Sequence, residues 1–185
     1  MYQGCNKTAL CSQKSIAEGF YELLKEKEFS KISISEICKK SGVSRQTFYS
    51  LFSSKENIVA FILSKEYSFN PHEECCCCGY PTIKELSRGF SSFIVQKGDF
   101  IDLLEKNNIM YLMQETLYCS FGCCGETAQT KSLNGIIPKN LAIDFIASGL
   151  TTISKHYVKN RAEISCEQLE HIIYALFQGQ YFIVQ

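Results

Sequence analysis

The sequence predicts an all-α protein of about nine helices. Three observations point there. Apolar residues recur at three- and four-residue spacing along most of the chain. Ser/Thr-x-x-Glu/Gln boxes begin at Ser33, Ser53, Thr82 and Ser165, each marking a helix start at which hydroxyl and carboxyl or amide satisfy backbone N–H groups reciprocally. And very little of the chain shows the two-residue alternation of a half-buried strand.

The elements follow in order. From Ser12 to Glu28, Ile16, Phe20, Leu23 and Leu24 form one apolar face, an amphipathic helix. Ser33 caps a short helix through Ile37 and Cys38, which Gly42 stops; Ser44 caps another over Arg45–Phe52. The Ser53–Glu56 box opens a helix carrying Ile58, Phe61 and Ile62, closed by Pro71. Past the loop NPHEECCCCGYP, Thr82 caps a helix with Leu86, Phe90, Phe93 and Ile94; Gly98 is expected to end it and Asp99 to start a separate one. Ile109 to about Ser120 is helical, and Phe121 to Ile137 reads as a loop. Pro138 suits the first turn of a long helix with Leu141, Phe145, Ile146, Leu150 and Ile153, and Ser165 caps the last, with Leu169, Ile172, Ile173, Leu176 and Phe177.

Composition narrows the function classes. At 185 residues, 45% apolar and 21% charged, the chain suits one domain, or a small domain fused to a larger one. Its longest apolar runs, such as Ile58–Leu63 and Ile172–Phe177, fall far short of the ~18 residues of a membrane span. No apolar signal segment opens the chain, so the cytoplasm is the expected compartment. The formal net charge is zero, yet residues 1–55 hold nine basic against five acidic residues and residues 56–185 ten against fourteen. That asymmetry directs the N-terminal end towards a polyanion. Eleven cysteines, an odd number with no signal peptide, argue against a full disulfide framework.

Two short helices around Gly42-Val43-Ser44 make a helix-turn-helix. On the second, Phe48 and Phe52 lie four apart and face the core, leaving Arg45, Gln46, Thr47 and Tyr49 on the outside, where such a helix enters a major groove. The stretch Ile32 to Ile58 resembles the N-terminal module of the TetR/AcrR family of bacterial transcriptional regulators. The resemblance rests on Ile32-Ser33, Ile37-Cys38, Ser41-Gly42-Val43-Ser44, Thr47-Phe48-Tyr49, Phe52 and Lys55-Glu56-Asn57-Ile58, with Cys38 in place of the usual alanine and Leu51 in place of a common His or Tyr. It implies a DNA-binding domain over residues 1–55 and an effector-binding and dimerisation domain over 56–185. It further implies that Ser33 bonds a phosphate and that Ser44, Arg45, Gln46 and Thr47 present the recognition helix to base edges, with Tyr49 and Lys55 on phosphates. The implied partners are double-stranded DNA, a second copy of the chain and a small-molecule effector of unknown identity, with no membrane and no cofactor; repression is the expected sign.

For the C-terminal half the residues themselves suggest a homodimer face: Leu141, Phe145, Ile146 and Gly149 on one helix, Leu169, Ile172, Ile173 and Leu176 on the next. Phe90, Phe93, Met110, Tyr111, Met113, Tyr118 and Phe121 are candidates for an effector pocket, though such stripes are more often plain core. His72, Cys75 and Cys78 spell H-x2-C-x2-C, a candidate for a metal- or thiol-responsive alternative. Crowding by Cys76 and Cys77 and the lack of a second clean ligand pair favour an ordinary loop. A third reading makes a protein partner the effector. No enzyme is expected: no hydrolase triad order, phosphate loop or zinc-protease motif is visible.

Overall fold

The computed structural model describes residues 6–64, 82–124 and 138–179. Among them are eight α-helices, one short 3-10 turn and no strand. Helix α1 spans Lys7–Glu26, begun by the Asn6 side chain, which accepts from the Thr8 N–H. The 3-10 turn Phe29–Lys31 joins it to α2, Ile34–Ser41, and α3 covers Arg45–Leu51. Helix α4 is Glu56–Ser64, α5 Ile83–Lys106, α6 Met110–Cys124, α7 Lys139–Asn160 and α8 Cys166–Phe177.

Local sequence rules account for most of the boundaries. The expected capping boxes form at Ser33–Glu36, Thr82–Glu85 and Ser165–Gln168. Gly42 sits at φ +68°, the left-handed conformation that turns α2 into α3, and its N–H caps Cys38. Other boundaries differ from expectation, and α1 begins at Lys7, five residues before Ser12. The helix expected from Ser53 begins instead at Glu56, directly after Lys55. Helix α6 continues through Phe121 to Cys124, into the segment expected to be loop. Pro138 stands at the N-cap of α7, one place before the first turn.

The largest correction is Gly98. It does not end a helix; α5 runs straight through it, so the nine helices expected become eight among the described residues. Glycine costs about 0.5–1 kcal/mol against alanine inside a helix. Here it faces α7 closely: a Cβ would lie 3.8 Å from the Arg161 guanidinium and 3.9 Å from the Tyr157 ring, and neighbouring Asp99 pairs with Arg161. Those are ordinary contact distances that would accept a methyl group, so packing does not demand glycine here; the helix continues because Phe100, Ile101 and Leu104 beyond it are buried in the same core.

Helices α1, α2 and α3 pack on one another and α4 closes them against α6. Helices α5, α6, α7 and α8 form the C-terminal bundle, with α5 contacting α1 as well as α7 and α8. One apolar core runs through both regions, from Ile16, Phe20 and Ile37 through Phe48, Phe52 and Ile58 to Ile94, Met113, Leu150 and Ile173. The DNA-binding boundary expected near residue 55 therefore crosses continuous packing.

Candidate nucleic-acid interface

A seven-residue helix is too short to be stable in water by itself. What holds α3 is its buried face: Phe48, Leu51 and Phe52 are at most 4% exposed. The Phe48 ring packs at 6.0 Å on Phe52, and Phe52 meets Phe61 of α4 edge-on at 5.4 Å. With that face fixed, Arg45 and Gln46 are exposed and Thr47 is half-buried. Tyr49 is 52% exposed, its ring edge-on against Phe48 at 5.5 Å. Ser44 starts the helix, accepting from the Thr47 N–H at 3.0 Å, with the two hydroxyls 2.9 Å apart. The first turn carries no acidic residue. Four of the expected DNA contacts, Ser44, Arg45, Gln46 and Tyr49, thus share one exposed helix side with Thr47 partly among them.

Ion pairing leaves this surface electropositive. Glu18, Glu22, Glu26, Glu28 and Glu36 each pair with a lysine: Lys14, Lys25, Lys40, Lys31 and Lys27 in turn. Arg45 and Lys39 are exposed and make no ion pair among the described residues. Lys39 was not among the residues singled out by sequence. Glu36 stands three places before it and looks like its partner, but the fold gives that carboxylate to Lys27.

Two expected phosphate contacts are placed differently. The Lys55 amine turns inward, donating to the carbonyls of Phe29 at 2.7 Å and Ile32 at 3.1 Å and lying 4.3 Å from the centre of the Phe29 ring. A lysine has three N–H donors, so a phosphate could take only what these carbonyls leave. Ser33 is exposed, but its N–H and hydroxyl both donate to Glu36, whose carboxylate occupies the start of α2. The Lys27 hydrogen bond first, then those of Ser33, lower the Glu36 pKa from the ordinary 4.5 to about 2.

In the C-terminal half, Leu141 and Phe145 are each 60% exposed and Ile172 is 37% exposed. Ile146, Gly149 and Leu176 beside them are half-buried. Gly149 admits the Phe177 ring, whose edge lies 3.2 Å from where a Cβ would stand, and Phe177 meets Phe145 edge-on at 6.3 Å. Leu169 and Ile173 do not belong to this face: they are 1% and 0% exposed and point into their own bundle, because α8 packs on α5 through that side. Of the pocket candidates, Phe90, Phe93, Met110, Met113 and Phe121 are buried in the core and Tyr118 packs against it. Tyr111 is 51% exposed and faces away from the interior. His72, Cys75 and Cys78 lie outside the described residues. Among the described cysteines with free thiols, Cys38 is buried, and burial pushes its thiol pKa up, while Cys11, Cys119 and Cys166 are exposed. No described helix is long and apolar enough to cross a membrane.

Residues 18–61 match the family of bacterial regulatory proteins, tetR family. That stretch carries a tetR-type helix-turn-helix module. A curated relative, the HTH-type dhaKLM operon transcriptional activator DhaS of Lactococcus lactis, is 31% identical over 62 residues. That match covers 34% of this chain and 33% of the relative, so the chain spans about a third of the relative's length. Among solved structures, Lin0861 from Listeria innocua superposes with a TM-score of 0.73 at 11% identity, covering 97% of this chain and 96% of that one. A TetR transcriptional regulator from Streptococcus agalactiae reaches 0.55 at 20% identity over 92% and 95% of the two chains. These likenesses concern the fold alone, and they take in the C-terminal bundle as well as the N-terminal match.

Two outcomes follow from the side-chain placements. Lys55→Ala should lower stability by about 1–3 kcal/mol in urea unfolding, because charge-assisted bonds to two carbonyls are lost; an unchanged midpoint would show the amine to be free for other contacts. Glu36 is depressed on folding, so its contribution to stability is full above pH 4.5 and fades as pH falls to about 2. Glu36→Gln should therefore flatten the acid limb of the stability–pH curve in that window, and an identical limb would rule the linkage out.

Proposed function

We propose that this chain is a tetR-family regulator of transcription that acts as a homodimer, each protomer placing α3 in a DNA major groove. The observation that carries the reading is the exposed Arg45–Gln46–Tyr49 side of a helix pinned by Phe48 and Phe52 on a surface whose acids are already paired. In this reading Arg45 takes the O6/N7 edge of a guanine, Gln46 the N6/N7 edge of an adenine, and Ser44 and Thr47 contact base edges or sugar–phosphate nearby. Tyr49 and Lys39 hold phosphates, Ser33 a further one where its hydroxyl reorients from Glu36, and Lys55 acts first by fixing the turn beneath it.

Dimerisation uses the remaining apolar face, Leu141, Phe145, Ile146, Gly149, Ile172 and Leu176, which brings α7 and α8 of two copies together in a four-helix contact. Two heads one helical turn apart, ~34–36 Å, then read a palindrome. A small molecule seated among the α5 and α6 side chains would weaken DNA binding only as far as it prefers the wrong head spacing. Repression by occupancy of the operator is the sign we assign. The Lactococcus relative is described as an activator, and a reporter placed behind the bound site reads the sign directly.

Arg45→Ala should weaken binding to the protein's own site by about 1–3 kcal/mol and relax selection at one base pair per half-site. Unchanged affinity and selectivity would remove α3 from the recognition role. Phe145→Asp should shift the protein from dimer to monomer in sedimentation, with loss of palindrome binding; a dimer that persists would place the interface elsewhere.

A further inference from the structure

The first N–H groups of a helical turn have no partner within it. At the 3-10 turn Phe29–Lys31 the N–H of Phe29 is satisfied from 78 residues away, donating to Oδ1 of Asn107 at 2.7 Å. Asn107 stands at the C-terminal end of α5, in the turn to α6. Its other amide atom is also committed: Nδ2 donates to the Leu103 carbonyl at 2.9 Å, which fixes the amide with its oxygen towards Phe29. The backbone around it is equally defined. Asn108 is left-handed at φ +57°, its N–H bonds the Glu105 carbonyl, and the Ile109 N–H bonds the Leu104 carbonyl, the paired bonds of a Schellman motif.

Phe29 is thereby held from three sides. Its N–H goes to Asn107, its carbonyl to Lys55 and its ring edge-on to Phe20 of α1 at 6.1 Å. The same end of α5 is tied to α7, where Lys155 and Lys159 both pair with Glu105 and Arg161 with Asp99. A rigid turn, locked to the helix that carries the apolar outer face, thus makes a directed bond to the base of the helix-turn-helix.

We propose that Asn107 is the positioning residue that sets the orientation of the helix-turn-helix relative to the C-terminal bundle, and so the half-site spacing that the dimer accepts. The inference rests on the dimeric DNA-reading function proposed above. A base pair inserted between half-sites moves them by about 3.4 Å along the duplex and turns them by a tenth of a helical turn. A bundle that holds its heads firmly discriminates against that change, and one that holds them loosely does not.

The test compares the parent with Asn107→Leu and Asn107→Asp on duplexes carrying two fixed half-sites at varied spacing and on a duplex with one half-site. Loss of the bond should shrink the preference for the best spacing by about threefold to tenfold in Asn107→Leu. Single-half-site affinity should stay unchanged. Asn107→Asp keeps an acceptor for the Phe29 N–H and should recover most of the preference. Amide exchange at Phe29, read without DNA, should quicken in Asn107→Leu and slow again in Asn107→Asp. An Asn107→Leu protein with the parent's spacing preference, or with equal losses at every spacing and at the single half-site, overturns the inference. A parent that binds no specific duplex overturns the DNA-reading function itself, a result separable from both.

Discussion

The structure turns on the burial of Phe48 and Phe52. Seven residues cannot hold a helix in water, because nucleation fixes several dihedrals for each hydrogen bond gained. Two aromatic side chains four residues apart, packed on each other and on Phe61, supply the missing free energy and at the same time decide which side of α3 faces out. Arg45, Gln46 and Tyr49 are exposed for that reason. The N-terminal end is shaped by the same economy of parts: Ser44 caps without a carboxylate, and the first turn of the helix holds no acidic residue.

Around that helix, charge is arranged by subtraction. Five glutamates of the N-terminal region are each taken up by a lysine, and the cations left over include Arg45 on α3 and Lys39 on α2. Part of the region's modest excess of basic residues is thus found at the helix-turn-helix itself. Lys55 shows the opposite use of a cation. It spends its donors on two carbonyls of the Phe29–Ile32 turn, the same turn that receives Asn107 from the C-terminal bundle. Packing is continuous between the two regions, and Asn107 adds a directional bond between them at this short segment.

Local rules carried the sequence reading a long way. Three of four capping boxes, the left-handed Gly42 and the inward pair on α3 follow from spacing and side-chain chemistry within a few residues. The misreadings have a common origin in partners distant along the chain. Gly98 looks like a helix stop because the burial of Phe100, Ile101 and Leu104 against distant helices, which carries the helix through it, is invisible locally. Lys55 looks free because its carbonyls lie 23 and 26 residues earlier. On α8, periodicity separates Leu169 and Ile173 from Ile172, but only the packing of α5 says which side is inside. Asn107 gave no signal at all, since its partner is a backbone N–H.

Selection of bound fragments from randomised duplex DNA by the purified, reduced protein tests the central claim most directly. Enrichment of a palindrome whose half-sites lie about one helical turn apart is the predicted result. A folded dimer that enriches no sequence at low salt would contradict the account, and the exposed side of α3 would need another partner.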